Sequence, residues 1–178
     1  GGHTMRGYRK RPGTQGFSVP LVGASLFFII SLFLFASYKN SAYQQAKKEI
    51  YSLYTANRAF DLDEVYQDGL TAIYAKEYGK TATEAGCEAL EQTGLPYVLL
   101  LSQFSAPVER VYVTNCQLSE TGREKKARTY DYTVSVRFCL EKGDEMLAPE
   151  KTMDFHGTVV MKKKGWFRWL LDGVTLGE

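Results

Sequence analysis

An apolar stretch near the N-terminus constrains this chain most: GFSVPLVGASLFFIISLFLFASYKN, which starts at Gly16. No charged side chain occurs in residues 17–38, a run of about 22 residues, and a helix of about 20 apolar residues crosses a bilayer. A secretory signal has a shorter apolar core and a small-x-small cleavage site behind it. The stretch therefore predicts a membrane span over residues 17–38. Its lipid-facing anchor residues are Phe17, Leu21, Phe27, Phe28, Ile29, Ile30, Leu32, Phe33, Leu34 and Phe35.

The flanking charges predict the orientation of this span. Arg6, Arg9, Lys10 and Arg11 precede it, and no acidic residue occurs before Lys39. Basic residues beside a span stay in the cytoplasm, so residues 1–16 are expected inside the cell and residues 39–178 outside. We interpret GGHT before the first Met as a remnant of cloning and leave it out of the functional argument.

The same region also supports a second interpretation. The segment KRPGTQG followed by FSVPL resembles the leader of type IV prepilins, which is cut after a Gly that precedes an apolar helix opened by Phe. That resemblance implies cleavage after Gly16 and a minor pilin-like subunit. Such proteins usually carry Glu at the fifth mature position, where this chain has Leu21.

Length and charge limit the outer segment. About 140 of the 178 residues follow the span, enough for one globular domain at 39–178. These residues hold 18 basic against 20 acidic side chains, a balance that argues against nucleic acid as the main partner. The exception is the run Lys162, Lys163 and Lys164, which we interpret as a solvated hairpin end.

Cysteine and histidine positions predict neither a disulfide framework nor a metal site. Cys87, Cys116 and Cys139 form an odd set, with no CxxC motif and no zinc-ligand spacing. We expect free, partly buried thiols or at most one bridge, and no metal or other cofactor.

Three helices are expected directly after the span. In the first, Ala42, Ala46, Ile50, Leu53, Tyr54 and Phe60 form an apolar face, and Gln44, Gln45, Lys47, Lys48 and Glu49 form the polar one. The second starts at Asp61 or Asp63, buries Val65, Leu70, Ile73, Tyr74 and Tyr78, and stops at Gly79. The third starts at Thr81 or Thr83, with Glu84 completing a capping box from Thr81, and ends at Gly94.

From Tyr97 onward the pattern changes to that of strands. RTYDYTVSVRFCLE alternates apolar and polar residues with the period of a half-buried strand. VERVYVTNCQLSE precedes it, and TMDFHGTVVMKK and WFRWLLDGVTL follow after short loops. In the third of these four segments Met153, Phe155, Val159 and Met161 share the core face, and Gly157 is expected at a bulge or bend. These segments predict an α+β domain with the helices on one face of a curved four-stranded antiparallel sheet.

This order of elements, and the last hairpin HGTVVMKKKGWFRWLLDGV, resemble the nuclear transport factor two-like fold, a cystatin-like roll. A single-pass anchor followed by one such domain is similar to the assembly-factor subunit of bacterial type IV secretion and conjugation channels. The resemblance implies a scaffold in the bacterial cytoplasmic membrane, without chemistry of its own, which holds other envelope proteins or further copies of the chain.

The fold that the chain resembles also hosts isomerases and dehydratases, so a small-molecule-binding or enzymatic domain is a further alternative. Asp154 and His156 lie two apart on one strand and are the weak candidates for acid and base. Met153 and Phe155 take the core face, so this pair is expected to face solvent, and we assign no catalytic residue.

The aromatic residues of the last hairpin favour an interface. Trp166, Phe167 and Trp169 are expected on both faces of the last strand, which leaves at least one large aromatic ring off the core and available to a partner.

Overall fold

The computed structural model describes residues 2, 13, 19–39, 41–55, 62–101, 104–144, 146–147 and 149–177, with the side chains of residues 62–66 left aside. It divides into two compact units, one up to Ala36 and one from Ser37 onward. The predicted anchor residue Phe17, the basic residues Arg6, Arg9, Lys10 and Arg11, and the core residues Phe60 and Val65 fall outside this description.

The apolar stretch forms helix α1, Val19–Lys39. It is long and apolar enough to cross a membrane, and none of its residues is buried within the chain. This exposure is compatible with a membrane anchor, because a helix that is apolar on all sides is stable when lipid, rather than water, surrounds it. A signal sequence shares these properties.

Helix α2, Ala42–Leu53, begins at Ser41, whose hydroxyl accepts a hydrogen bond from the Gln44 backbone N–H. The predicted apolar face is confirmed, since Ala42, Ala46, Ile50 and Leu53 are all buried. Tyr54 caps the C-terminal end and is also buried. Burying one Ile or Leu side chain stabilises a fold by about 2 kcal/mol, so this face fixes the helix on the domain.

Helix α3, Leu62–Tyr78, is broken at Gly69, which has φ 78°. Ile73, Tyr74 and Tyr78 are buried as predicted, whereas Leu70 is 38 % exposed. Leu70 follows the break, so the helical spacing that the sequence suggested does not continue across it.

Helix α4, Glu84–Thr93, starts at the second of the two predicted caps. The Thr83 hydroxyl accepts a hydrogen bond from the Gly86 N–H, so the capping box from Thr81 was the wrong choice. The helix ends at Gly94 in the left-handed conformation, as predicted. A short helical turn, α5 (Tyr97–Leu100), follows, which corrects the strand pattern expected from Tyr97.

Four strands form an antiparallel sheet in the order β1-β2-β3-β4, so the α+β class is confirmed. They are β1 (Val108–Arg123), β2 (Ala127–Leu140), β3 (Glu150–Lys164) and β4 (Arg168–Val174). The alternation predicted for β2 is confirmed, because its core-facing side chains are all buried. They are Tyr130, Tyr132, Val134, Val136, Phe138 and Leu140.

Strand β3 differs from the expectation at two positions. Met153 is 42 % exposed, although Val159 and Met161 on the same face are buried. Gly157 pairs regularly with Tyr132, and the nearby register shift lies instead between β3 and β4, at Val160 and Met161. The bulge predicted at Gly157 is therefore wrong.

The link between α3 and α4 lies along the outer side of β4. The Leu171 N–H donates to the Thr81 carbonyl at 2.9 Å, and the Thr83 N–H donates to the Leu171 carbonyl at 2.8 Å. These two bonds form a parallel bridge at Ala82 and Leu171 that covers the edge of β4. Helix α4 consequently starts next to the last hairpin.

Candidate interaction surfaces at the two ends of the sheet

One end of the sheet, which we call the basic end, contains two adjacent hairpin turns, residues 124–126 and 165–167. The Lys163 N–H donates to the Lys126 carbonyl at 2.7 Å and joins them. Basic residues outnumber acidic ones here, where Glu84, Glu120 and Glu124 are the exposed acids. The basic residues are Lys80, Arg123, Lys125, Lys126, Arg128, Lys162, Lys163, Lys164 and Arg168.

The charge count of the whole domain conceals this cluster. Its members come from the α3–α4 link and from both hairpins, and the sheet register together with the bridge at Ala82 brings them together. Lys162, Lys163 and Lys164 are exposed at the hairpin end, as predicted, and the fold gives them basic neighbours from the other hairpin and from the α3–α4 link. The nearly equal numbers of basic and acidic residues therefore hold for the domain as a whole and not for this end.

A crevice of about 560 Å³ lies between the last hairpin and the α3–α4 link. Lys162, Lys164 and Arg168 line one side, and Lys80 and Glu84 line the other. The Arg168 guanidinium donates to the Lys80 carbonyl, which holds the two sides together. The crevice concentrates positive charge, so anionic groups are the ligands it suits.

The predicted aromatic residues lie at the tip of the basic end. Trp166 is 85 % exposed and Phe167 is 48 % exposed, and both belong to the turn and not to the strand, which corrects the expected placement. At least one large ring does lie off the core, as predicted.

Trp169 is in a different environment. It is half-buried, with the Arg128 guanidinium 5.3 Å and the Lys163 ammonium 5.9 Å from its ring centroid. Cations placed over an indole face are attracted to it, so Trp169 holds basic side chains of neighbouring strands in place. The structure thus separates Trp169 from the exposed tip.

Glu49 is a buried acid that the sequence placed on the polar face of α2. It is 7 % exposed and lines a cavity of about 210 Å³ with Lys80, Phe167 and Trp169. Burial raises the pKa of Glu49 to about 7, and Lys48 and Thr81 lower it by less. Its spacing of three from Ala46 and four from Leu53 was the signal for its burial.

The opposite end of the sheet, which we call the distal end, exposes aliphatic side chains. It contains the β2–β3 loop and the segment before β1, which the Glu141 N–H joins by donating to the Pro107 carbonyl at 2.9 Å. Met146 is 91 % and Leu147 is 82 % exposed in this loop. Leu101, which is 71 % exposed, ends the α5 turn that leads to this segment.

The interior polar groups are paired in a chain of hydroxyls. Tyr132 donates to the Thr175 carbonyl at 2.8 Å, so the Tyr54 hydroxyl, 2.8 Å from that of Tyr132, must donate to it. Burial, first of all, raises the pKa of both tyrosines. Paired hydroxyls with raised pKa values hold the core together and are poor proton donors.

The candidate acid and base face solvent as expected. Asp154 and His156 are both exposed on the sheet face away from the helices. The three cysteines are unpaired thiols, with Cys116 and Cys139 buried. Within the described ranges, no cluster of three or more His, Cys, Asp and Glu side chains is placed to hold a metal.

The chain matches no protein-family model and no curated protein sequence.

Proposed function

We propose that this chain is a non-enzymatic, membrane-anchored scaffold of an envelope-spanning assembly of the conjugative or type IV secretion kind. Helix α1 anchors it in the bacterial cytoplasmic membrane, and an α+β domain of the nuclear transport factor two-like type holds other envelope proteins outside. Three longer helices (α2 to α4), the short turn α5 and a four-stranded antiparallel meander follow one another, and this order supports the fold type.

The distal end carries this proposal. Met146 and Leu147 are more than four-fifths exposed, although the domain has a continuous core in which such side chains are normally buried. Adjacent exposed aliphatic residues are typical of protein contact sites. The distal end lies across the sheet from the two hairpin turns, so a partner could bind there and leave the basic end accessible.

The anchor gives such contacts their strength. A domain held at a membrane meets partners of the same membrane at a raised effective concentration, so weak contacts suffice for assembly. The solvent-facing position of Asp154 and His156 and the paired interior tyrosines support a role in binding rather than in catalysis.

Site-specific photo-cross-linking in native membranes tests the proposal. A photoreactive amino acid replaces Leu147 at the distal end, and in a control it replaces Thr133, which is exposed on the outer sheet face. The protein is recovered through a C-terminal tag, and its adducts are identified by mass spectrometry. We expect discrete protein adducts from position 147 that are absent from position 133. Equal adducts from both positions, or none from 147, would contradict a distal protein site.

A further inference from the structure

We propose that the basic end docks on anionic lipid headgroups of the bilayer that holds α1, with Trp166 inserted at the interface between headgroups and water. The inference relies on the membrane anchorage of the proposed function, but not on its protein partners. Charge, aromatic exposure and the point where the chain enters the domain each support it.

The charge of this end matches an anionic surface. Lys162, Lys164 and Arg168 line the crevice, and the Glu124–Lys126 turn next to it adds Lys125 and Lys126, all of them exposed. Each basic side chain near an anionic lipid surface contributes roughly 1 kcal/mol. The domain has a small net charge, so its basic end would turn toward such a surface and its acidic remainder away from it.

The tip has the aromatic residue that an interface prefers. Trp166 is 85 % exposed at the outermost turn, with Lys164 two residues before it and Arg168 two residues after it. Tryptophan is enriched where membranes meet water, because its ring is apolar and its N–H can still donate to water or to lipid. A tryptophan flanked by cations is the arrangement that anionic headgroups bind.

The chain enters the domain at this same end. The ring of Tyr43, in the first turn of α2, packs on Tyr130 with centroids 6.0 Å apart. Gln45 lines a cavity together with Phe167, whereas Tyr54, past the other end of α2, contacts Phe155 farther along the sheet. Helix α2 therefore begins beside the basic end.

The connection to the membrane is short. Helix α1 ends at Lys39 and α2 begins at Ala42, which leaves at most about 10 Å of extended chain between them. If α1 spans the bilayer, the tether holds the start of α2, and with it the basic end, close to the headgroups.

Tryptophan fluorescence of the reconstituted full-length chain tests the docking. Trp166 and Trp169 are the two tryptophans of the sequence, so Trp169→Phe leaves Trp166 as the single reporter. The chain is placed in vesicles of phosphatidylcholine alone, or with about a third of phosphatidylglycerol. We expect blue-shifted Trp166 emission and quenching by headgroup-proximal spin-labelled lipid in the anionic vesicles only. Both effects should disappear at about 1 M salt, where the screening length falls to about 3 Å.

Two double variants test whether docking depends on the charges of the basic end or on the total charge of the domain. Lys162→Gln with Lys164→Gln removes two charges at the basic end, and Lys142→Gln with Lys151→Gln removes two exposed charges near the distal end. We expect the first pair to lower the equilibrium constant for docking about 25-fold, because each lysine contributes a factor of about five. The second pair should leave the equilibrium unchanged. Circular dichroism confirms that each variant is folded.

Other results would overturn the inference. Unquenched, water-exposed Trp166 in anionic vesicles would exclude lipid docking, and so would equal effects of the two double variants. A photoreactive residue at position 166 that cross-links to protein and not to lipid in native membranes would assign the tip to a protein partner. None of these results depends on the adducts from position 147, so this inference and the proposed function fail separately.

Discussion

Glu49 shows how a single buried carboxyl couples the fold to pH. Its pKa is about 7 in the folded domain and near 4.5 in the unfolded chain, because burial disfavours the charged form. A raised folded pKa gives stability that is complete below pH 4.5 and is lost as pH rises through 7. The loss therefore accumulates between pH 4.5 and about 7 and is complete on the alkaline side of neutrality.

We predict that Glu49→Gln removes this loss. Wild-type protein should lose up to about 3 kcal/mol of unfolding free energy between pH 5 and pH 8, and the variant should lose much less. Denaturant unfolding in micelles at several pH values measures the difference. Glu88→Gln, at an exposed site of α4, is the control, and its unfolding free energy should change with pH as that of the wild type does. Identical slopes for all three proteins would show that Glu49 does not titrate in this range.

The hydroxyls of Tyr54 and Tyr132 form one hydrogen-bonded chain, but we expect their removal to lower the unfolding free energy by different amounts. Tyr54→Phe removes one donor and leaves Tyr132 bonded to Thr175, so we predict a loss of about 1 kcal/mol. Tyr132→Phe leaves the Tyr54 hydroxyl buried without its acceptor, and a loss of about 2 kcal/mol or more is expected. Chemical denaturation measures the unfolding free energy that each variant loses. A larger loss for Tyr54→Phe than for Tyr132→Phe would contradict the assigned donor direction.

At the scale of elements, Gly157 joins β3 to the C-terminal segment. A Cβ at this position would lie 2.0 Å from the Thr175 carbonyl oxygen and 2.7 Å from the Tyr132 hydroxyl. The Thr175 N–H also donates to the Thr158 carbonyl at 2.8 Å, so the segment after β4 continues along β3. Glycine is needed here for close approach and not for a bulge.

We predict that Gly157→Ala costs about 2 kcal/mol or more, because the added methyl displaces Thr175 from Tyr132. Gly173→Ala is the matched control on β4, since its Cβ would lie 3.7 Å from Val160, an ordinary contact. Thermal unfolding should show a lower midpoint for the first variant and little change for the second. Equal midpoints would mean that the C-terminal segment does not pack on β3 in solution.

The elements also show where local sequence patterns were sufficient. The β2 alternation and the apolar face of α2 follow from periods of 2 and 3.6, which the chain geometry alone imposes. The pattern misplaced Trp166 and Phe167 on the last strand, because the glycine turn extends over 165–167 and β4 begins only at Arg168. It misjudged Tyr97–Leu100, because the apolar run of five residues that starts at Tyr97 is too short to have a period that separates a strand from a helical turn.

At the scale of the whole molecule, the fate of the N-terminus separates the anchored scaffold from the pilin-like alternative. We predict that protein recovered from membranes retains the residues before Gly16, and that protease added to intact cells stripped of their wall digests only the part beyond Lys39. Intact-mass measurement and N- and C-terminal tags report both results. A mature protein that starts at Phe17 would instead support pilin-type processing.

The sequence by itself determined the apolar helix, the α+β class and the order of the longer helices and the four strands, because each depends on the spacing of neighbouring residues. Only the tertiary structure decided the burial of Glu49, the close approach at Gly157 and the basic end. Lys80, Lys126 and Lys163 are distant in sequence, and hairpin register together with the bridge at Ala82 brings them to one place with Arg168. A count of charges sums over the chain, whereas a surface depends on which residues the fold makes neighbours.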